Sequence, residues 1–293
     1  MIDREKRMIF RGVCTALVTP MKEAGEIDFD SFEKMCIRQI EGGADALLFC
    51  GTTGEAPTLT EEEISLIYKF AHQTVGGAVP VILGCGSNSH KKTMHMAEMA
   101  AKWADALLIV APYYNRGTSE GIIRSMNEVF ELAVPTFLYN IPQRTGVDVS
   151  IDVVKTLSEE RWFYGIKECA GVGRIAKLCE ECPQISVYSG NDSELLPSLS
   201  VGAEGLFSVV SNLYPEKVKK ICELFFCGKW EESLYCYRQI SKITELLFCE
   251  TNPVPVKYAL CEMELCENNL RLPLFPLDVI KSEKIVKEMK KIG

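Results

Sequence analysis

Eight short apolar runs, each followed by a stretch with helical spacing, constrain the fold of this chain more than any other feature. They occupy residues 13–19, 46–51, 79–84, 106–112, 135–140, 163–168, 185–190 and 205–210. The runs are continuously apolar rather than alternating, which is typical of strands buried on both faces. Such strands indicate a parallel sheet that is covered by helices.

The helical stretches carry start signals as well as helical spacing. After the second run, Thr60 stands where an N-cap is expected, and Glu63 follows three residues later as its capping-box partner. Apolar residues then recur at helical intervals. This pattern predicts a helix that begins directly after Thr60.

Eight strand–helix units within about 220 residues have the number and size of a (β/α)8 barrel. We therefore predict an α/β fold, a (β/α)8 TIM barrel with a C-terminal helical appendage. The alternative is a doubly wound open sheet, but that fold usually carries a glycine fingerprint after its first strand, where this chain has none. The strand pattern stops late in the chain, which predicts a catalytic barrel over 1–225 and a helical domain over 226–293.

Composition excludes several classes of function. The 293 residues include 32 Lys and Arg against 40 Asp and Glu, a formal net charge of −8. Because no basic stripe is present, we expect no nucleic-acid partner. No apolar run approaches the ~18 residues of a membrane span, so we expect no membrane partner. The charged N-terminus lacks the apolar core of a signal peptide, which predicts a cytoplasmic protein with reduced cysteines.

Cysteine and histidine spacing predicts no metal site. Cys179 and Cys182 form a C-x-x-C pair, but no second pair completes a zinc tetrad. We expect both to be small packing residues. His90 and His95 are five residues apart, which does not place them on one helical face, and we expect them at the surface.

In a barrel of this kind the chemistry lies at the carboxyl ends of the strands. The sixth run ends in G-I-K-E, which places Lys167 at the barrel mouth. Desolvation there lowers the pKa of a lysine toward the neutral amine, the form that attacks a ketone to make a Schiff base. The other interpretation is a structural lysine paired with a carboxylate, but the adjacent Glu168 points to the opposite strand face.

Other strand ends add hydroxyls and a positive charge. G-T-T-G-E offers Thr52 and Thr53 beside several backbone N–H groups, a set suited either to a carboxylate or to capping the next helix. P-Y-Y-N-R and Y-N-I-P-Q-R-T-G bring Tyr114, Tyr139 and Arg144. A phenol can pass protons in a relay and an arginine can bind a carboxylate bidentately, although each could equally serve in packing or in a surface ion pair.

The chain resembles the dihydrodipicolinate synthase (4-hydroxy-tetrahydrodipicolinate synthase) family, within the N-acetylneuraminate lyase superfamily of class I aldolase-like barrels. The resemblance rests on T-A-L-V-T-P, G-T-T-G-E, P-Y-Y-N-R, Y-N-I-P-Q-R-T-G, G-I-K-E and S-G-N-D. Arg144, N-P-V-P-V-K-Y-A-L and L-R-L-P-L-F-P resemble the synthase branch specifically. The resemblance implies condensation of pyruvate with L-aspartate 4-semialdehyde through a lysine Schiff base, in the diaminopimelate route to lysine.

The resemblance also implies catalytic roles. Lys167 would form the imine with pyruvate, and Tyr139 would donate and accept protons. Tyr139 would be linked through the Thr52 hydroxyl to Tyr114 of a neighbouring subunit, which implies a homo-oligomer, either a dimer or a tetramer built as a dimer of dimers. No metal and no organic cofactor is implied, because the lysine is itself the electron sink.

Four further residues would form the substrate pocket. Thr53 would hold the pyruvate carboxylate, and Arg144 would bind the carboxylate of the semialdehyde. The backbone of Phe207 would close over pyruvate, and Gly190 would belong to the pocket floor. The chain departs from the family at Asn191, where Asp is more common, and at Phe207, where a smaller aliphatic residue is more common and whose ring could narrow the pocket.

The lysine-inhibition site of the family differs more strongly in this chain. Lys92, Glu61 and Ile64 stand at positions where the family uses an acidic residue and imidazoles to hold the effector. Lys92 would repel the ammonium group of lysine. We therefore predict weak or absent feedback by lysine.

Two other functions are compatible with part of this pattern. Another pyruvate-dependent enzyme, an N-acetylneuraminate lyase or a keto-deoxy sugar acid aldolase, would share the lysine and tyrosine blocks without needing Arg144. A catalytically inactive barrel kept as a sensor or scaffold is disfavoured, because Lys167, Tyr139, Thr52 and Tyr114 are all present.

Overall fold

Eight strands follow one another around a closed barrel in the order of the chain, in a computed structural model that describes residues 6–292. The strands are β1 Gly12–Ala16, β2 Ala46–Phe49, β3 Val81–Gly84, β4 Ala106–Val110, β5 Thr136–Asn140, β6 Phe163–Glu168, β7 Ser186–Ser189 and β8 Gly205–Ser208. Strand pairing is parallel between β1 and β2 and from β3 through β8. Each strand lies within or beside one of the eight apolar runs, and the predicted TIM barrel is confirmed.

Helices follow the strands and continue beyond the last one. They are α1 Phe29–Glu41, α2 Glu61–Val75, α3 His90–Ala100, α4 Ser119–Phe130, α5 Pro142–Thr145, α6 Ile151–Ser158, α7 Val172–Glu181, α8 Leu195–Ser200, α9 Pro215–Phe226, α10 Trp230–Leu246, α11 Val254–Glu262 and α12 Val279–Ile292. The last three form the predicted C-terminal helical appendage. Within the described residues, none of these helices has the length and apolarity needed to span a lipid bilayer.

The predicted start of α2 is confirmed in detail. Thr60 is the N-cap, its side chain accepts a hydrogen bond from the backbone N–H of Glu63, and the Glu63 carboxylate accepts one from the backbone N–H of Thr60. These reciprocal bonds satisfy two backbone donors that would otherwise lack partners at a helix start.

The chain forms two compact units. The first unit contains Pro80–Phe207 together with the described N-terminal residues through Arg11, and it includes β3 to β8 apart from the last residue of β8. The second unit contains Gly12–Val79 and the chain from Ser208 onward, with β1, β2 and the four helices α9 to α12. The domain division predicted at residue 225 stays a prediction.

Four aromatic rings pack against one another in the first unit. Phe10 stacks on Tyr188 at 4.2 Å between ring centroids, and Phe207 packs edge-on against Phe10, Phe137 and Tyr188 at 5.4, 6.0 and 5.5 Å. Gly165 admits this packing, because a Cβ there would collide with the backbone oxygen of Ser186 and lie 3.1 Å from the Phe137 ring.

The cysteines and histidines lie where their spacing predicted. All 13 cysteines are free thiols, with Cys182 buried and Cys179 half-buried. Burial raises the pKa of the Cys179 thiol to about 11, which disfavours the thiolate that a redox or metal role requires. His90 and His95 are exposed.

Candidate active site

Lys167 lies at the carboxyl end of β6 between two aromatic side chains. It is 6% exposed, and in the sheet it pairs with Tyr139 of β5 on one side and Tyr188 of β7 on the other. Its Nζ lies 4.4 Å from the ring centroid of Tyr139 and 5.3 Å from that of Phe207. The amine is therefore set at the end of an apolar strand, against aromatic rings rather than open water.

Gly190 follows β7 and lies directly against Lys167. A Cβ at this position would lie 2.8 Å from Lys167 Cε and would collide with the Sγ of Cys169. The residue must therefore be glycine for the lysine side chain and the thiol to occupy their places together. Cys169 is 2% exposed, and burial raises the pKa of its thiol to about 12.

Glu168 points away from Lys167, as strand geometry predicts, and has its own partners. Its carboxylate accepts hydrogen bonds from Arg174 Nε at 2.7 Å, from Asn140 Nδ2 at 2.8 Å and from the backbone N–H of Ala170 at 2.7 Å. Burial raises the pKa of this carboxyl, and the Arg174 guanidinium opposes that shift. The network fixes the strand end from the face opposite Lys167.

Tyr114 lies in the loop after β4 and Arg144 in the short helix α5, both in the first unit. Tyr114 is 90% exposed and has a left-handed backbone with φ of 67°, which is uncommon for a residue with a bulky side chain. Its backbone N–H donates to the carbonyl of Thr145, in the short helix α5 that also carries Arg144. Arg144 is exposed.

Thr52 and Thr53 lie in the second unit, in the loop that follows β2. Thr52 is half-buried, whereas Thr53 is buried and its Oγ1 accepts a hydrogen bond of 2.9 Å from Nδ2 of Asn252. Thr19 donates to the carbonyl of Gly54 at 2.7 Å. The loop is thus held by side-chain bonds at consecutive residues.

A buried ion pair holds the same loop two residues further along. Lys257 of α11 lies 2.6 Å from Oε1 of Glu55, and both side chains are fully buried. Burial lowers the pKa of the Lys257 ammonium, while the Glu55 carboxylate opposes that shift. Lys257 also donates to the carbonyl of Asn269 at 2.5 Å, and the backbone N–H of Arg271 donates to Glu55 Oε2 at 3.1 Å. Glu55 itself has a left-handed backbone, with φ of 55°.

The sequence-predicted residues therefore fall into three groups. Around the amine in the first unit lie Lys167, Tyr139, Phe207 and Gly190. Tyr114 and Arg144 are exposed in the same unit, and Thr52 and Thr53 form the loop in the second. Asn252, Lys257 and Arg271 lie in motifs that carry the family resemblance, but no role was predicted for any of them. A lysine inside the otherwise apolar N-P-V-P-V-K-Y-A-L was the available signal, since a buried lysine needs a partner.

Comparison with known proteins identifies the family. A sequence model of the Dihydrodipicolinate synthetase family matches residues 9–292. The chain belongs to this family. It is 39% identical over 287 residues to the 4-hydroxy-tetrahydrodipicolinate synthase of Alkaliphilus oremlandii, covering 97% of this chain and 99% of that one. This likeness confirms the predicted synthase function over the lyase and aldolase alternatives.

Solved structures of dihydrodipicolinate synthases also align with this chain over nearly its whole length. The chloride-inhibited dihydrodipicolinate synthase of Acinetobacter baumannii, complexed with pyruvate, aligns with a TM-score of 0.95 at 36% identity and covers 98% of this chain and 99% of its own. The synthase of Cyanidioschyzon merolae with lysine bound aligns with a TM-score of 0.95 at 32% identity, covering 98% and 99%.

Proposed function

We propose that this chain condenses pyruvate with L-aspartate 4-semialdehyde through a Schiff base on Lys167, to give 4-hydroxy-tetrahydrodipicolinate. The observation that carries the proposal is the Lys167 amine, buried at the end of β6 with Tyr139 and Phe207 rings at 4.4 and 5.3 Å. A buried amine at the end of a strand, at the mouth of a TIM barrel, is the nucleophile that imine chemistry uses.

The bonds formed and broken follow from this chemistry. The Lys167 amine attacks the ketone carbon of pyruvate, and water leaves to give the imine. Loss of a proton from the methyl carbon gives an enamine, whose carbon bonds to the aldehyde carbon of the semialdehyde. This step restores the imine, and the aldehyde oxygen takes up a proton to become the hydroxyl group. The amino group of the semialdehyde then attacks the imine carbon, which closes the ring and releases Lys167 as a free amine.

Proton transfer is assigned to Tyr139, linked through the Thr52 hydroxyl to Tyr114. The register of β5 with β6 supports the role of Tyr139, because it pairs Tyr139 directly with Lys167. The 90% exposure of Tyr114 supports a role in a site completed by a second subunit, since an exposed large aromatic side chain is available to a partner. We therefore propose a homo-oligomer, at least a dimer.

Substrate binding is assigned to four further residues. The Thr53 hydroxyl would donate a hydrogen bond to the pyruvate carboxylate, and Arg144 would bind the carboxylate of the semialdehyde. Gly190 would form the pocket floor, in keeping with its contact with Lys167 Cε. Phe207 would contribute its backbone, because its ring is packed among Phe10, Phe137 and Tyr188.

Turnover of the purified protein tests the reaction. We expect NADPH consumption with pyruvate, aspartate semialdehyde and the downstream reductase, and none with Lys167→Ala. Arg144→Ala is the second arm: it should lower activity strongly in a semialdehyde synthase and little in an aldolase that binds a polyol. Borohydride trapping of pyruvate on Lys167 without turnover would contradict the assigned aldehyde while keeping the imine chemistry.

Feedback by lysine is proposed to be weak or absent. Lys92 is exposed on the first turn of α3, and Ile64 is buried in α2 and offers no polar atom on its side chain. A steady-state titration checks this proposal, and inhibition at sub-millimolar lysine would contradict it.

A further inference from the structure

The segment around α11 reaches the loop after β2 at two points. Asn252, just before the helix, donates to Thr53 Oγ1 at 2.9 Å, and Lys257 within the helix lies 2.6 Å from Glu55. Residues about 200 positions apart in sequence are therefore joined by two contacts, both among buried side chains. The position of the Thr53 hydroxyl is thus tied to the start of α11.

The direction of the Thr53–Asn252 hydrogen bond determines what the Thr53 hydroxyl can do. A side-chain amide nitrogen donates and does not accept, so Thr53 Oγ1 is the acceptor. A hydroxyl carries one proton, and this proton is not used in the bond with Asn252. The Thr53 hydroxyl is therefore oriented with its own proton left to donate to another acceptor.

We propose that Asn252 is a positioning residue for the substrate carboxylate: by donating to Thr53 Oγ1, it directs the Thr53 hydroxyl proton toward the carboxylate of pyruvate. This inference rests on the proposed function, in which Thr53 binds that carboxylate. It also gives the N-P-V-P-V-K-Y-A-L segment a role in substrate binding as well as in packing.

Buried contacts hold the helix that directly follows Asn252. Lys257 holds Glu55 and the Asn269 carbonyl, and Arg271 donates to Glu55 through its backbone and to Glu63 Oε2 at 2.7 Å. A binding group gains most when its supporting side chains are already fixed before substrate arrives. The segment that carries Asn252 is therefore held in place before substrate binds.

The test compares Asn252→Ala and Asn252→Asp, each made in the native background and in Thr53→Val. The readout is the pyruvate concentration that gives half-maximal borohydride trapping on Lys167, with the trapped adduct detected by mass spectrometry. The KM for pyruvate is measured alongside. We expect Asn252→Ala to raise this concentration about three- to ten-fold. Asn252→Asp should raise it about ten-fold or more, because a carboxylate takes the Thr53 proton and repels the substrate. In the Thr53→Val background, Asn252→Ala should raise the pyruvate concentration for half-maximal trapping by less than about two-fold.

The Gln39→Ala variant is the matched control. Gln39 is a buried amide whose Oε1 accepts from the Thr15 hydroxyl at 2.8 Å in the same unit. The Gln39→Ala variant should have a lower melting temperature and an unchanged pyruvate concentration for half-maximal trapping. Asn252→Asp keeps the size of the native side chain, so it still tests the proposal if Asn252→Ala does not fold.

Two results would overturn the inference. In the first, Asn252→Ala and Asn252→Asp would reach half-maximal trapping at the same pyruvate concentration as the native protein. In the second, Asn252→Ala would weaken trapping equally with and without the Thr53 hydroxyl. Failure of the proposed imine chemistry gives a different result, because borohydride would then not trap pyruvate on the native protein. Failure of the assigned aldehyde alone would show as trapping on the native protein without turnover.

Discussion

The surroundings of Lys167 and the loop of Thr53 are built from different interactions. Lys167 lies against the rings of Tyr139 and Phe207, and Phe207 belongs to a packed aromatic cluster. The Thr53 loop instead is held by a buried amide and by the fully buried Lys257–Glu55 ion pair. One region is supported by apolar packing and the other by directional polar contacts.

This difference matches the chemistry assigned to each region. A reactive amine benefits from surroundings that exclude water, because desolvation favours its neutral form. A group that binds a carboxylate must instead present a proton in one direction, and directional hydrogen bonds provide that orientation. The two regions should therefore respond differently to substitution, and the following variants test that expectation.

The largest effect is expected at Lys257. Lys257→Met leaves the Glu55 carboxylate buried without its ammonium partner, and breaking such a pair from one side costs about 3–5 kcal/mol of unfolding free energy. Urea unfolding followed by circular dichroism measures this loss. The double variant Lys257→Met/Glu55→Gln should recover part of the loss, because the unpaired charge is then removed.

Lys242 provides the matched control for Lys257. It pairs with Glu245 at 2.8 Å, but both side chains are more than half exposed. Exposed pairs of this kind contribute little, so Lys242→Met should cost about 0.5 kcal/mol or less. Equal costs for Lys257→Met and Lys242→Met would show that polar contacts do not dominate the support of the Thr53 loop.

A smaller effect is expected at Phe207. Phe207→Leu removes ring contacts with Phe10, Phe137 and Tyr188 but keeps an apolar side chain, which should cost about 1–2 kcal/mol. Pyruvate should still be trapped on Lys167, because no hydrogen bond to the lysine is removed. The same urea titration and a borohydride assay measure both outcomes. A stability loss above that of Lys257→Met would reverse the comparison between the two regions.

Local patterns were enough to predict the barrel and the start of α2. Continuous apolar runs identify buried parallel strands, and the capping box involves Thr60 and Glu63, only three residues apart. The placement of Lys167 near the end of β6 was also predictable, because a lysine late in an apolar strand stands out against its neighbours, whereas its catalytic role stays a prediction.

The support of the Thr53 loop was not predictable in the same way. Asn252 and Thr53 are 199 residues apart, and Lys257 and Glu55 are 202 apart, so no local periodicity relates them. The left-handed backbone of Glu55 and Tyr114 was also hidden, because neither residue type signals a positive φ as glycine does. Such features depend on tertiary contacts that bring distant residues together.

The smallest effect on activity is expected from treatment with an alkylating reagent, although Cys169 Sγ and Lys167 Cε both pack against Gly190. The thiol is 2% exposed and burial raises its pKa to about 12, so the reactive thiolate is strongly disfavoured at pH 8. Iodoacetamide at that pH should label the exposed Cys227 first and leave Cys169 and turnover intact.

Peptide mass spectrometry measures both sites, and labelling in urea shows that each can react once unfolded. Rapid labelling of Cys169 with loss of turnover, absent in Cys169→Ala, would mean that the packing around the amine opens readily, and the apolar region would then be the less rigid of the two.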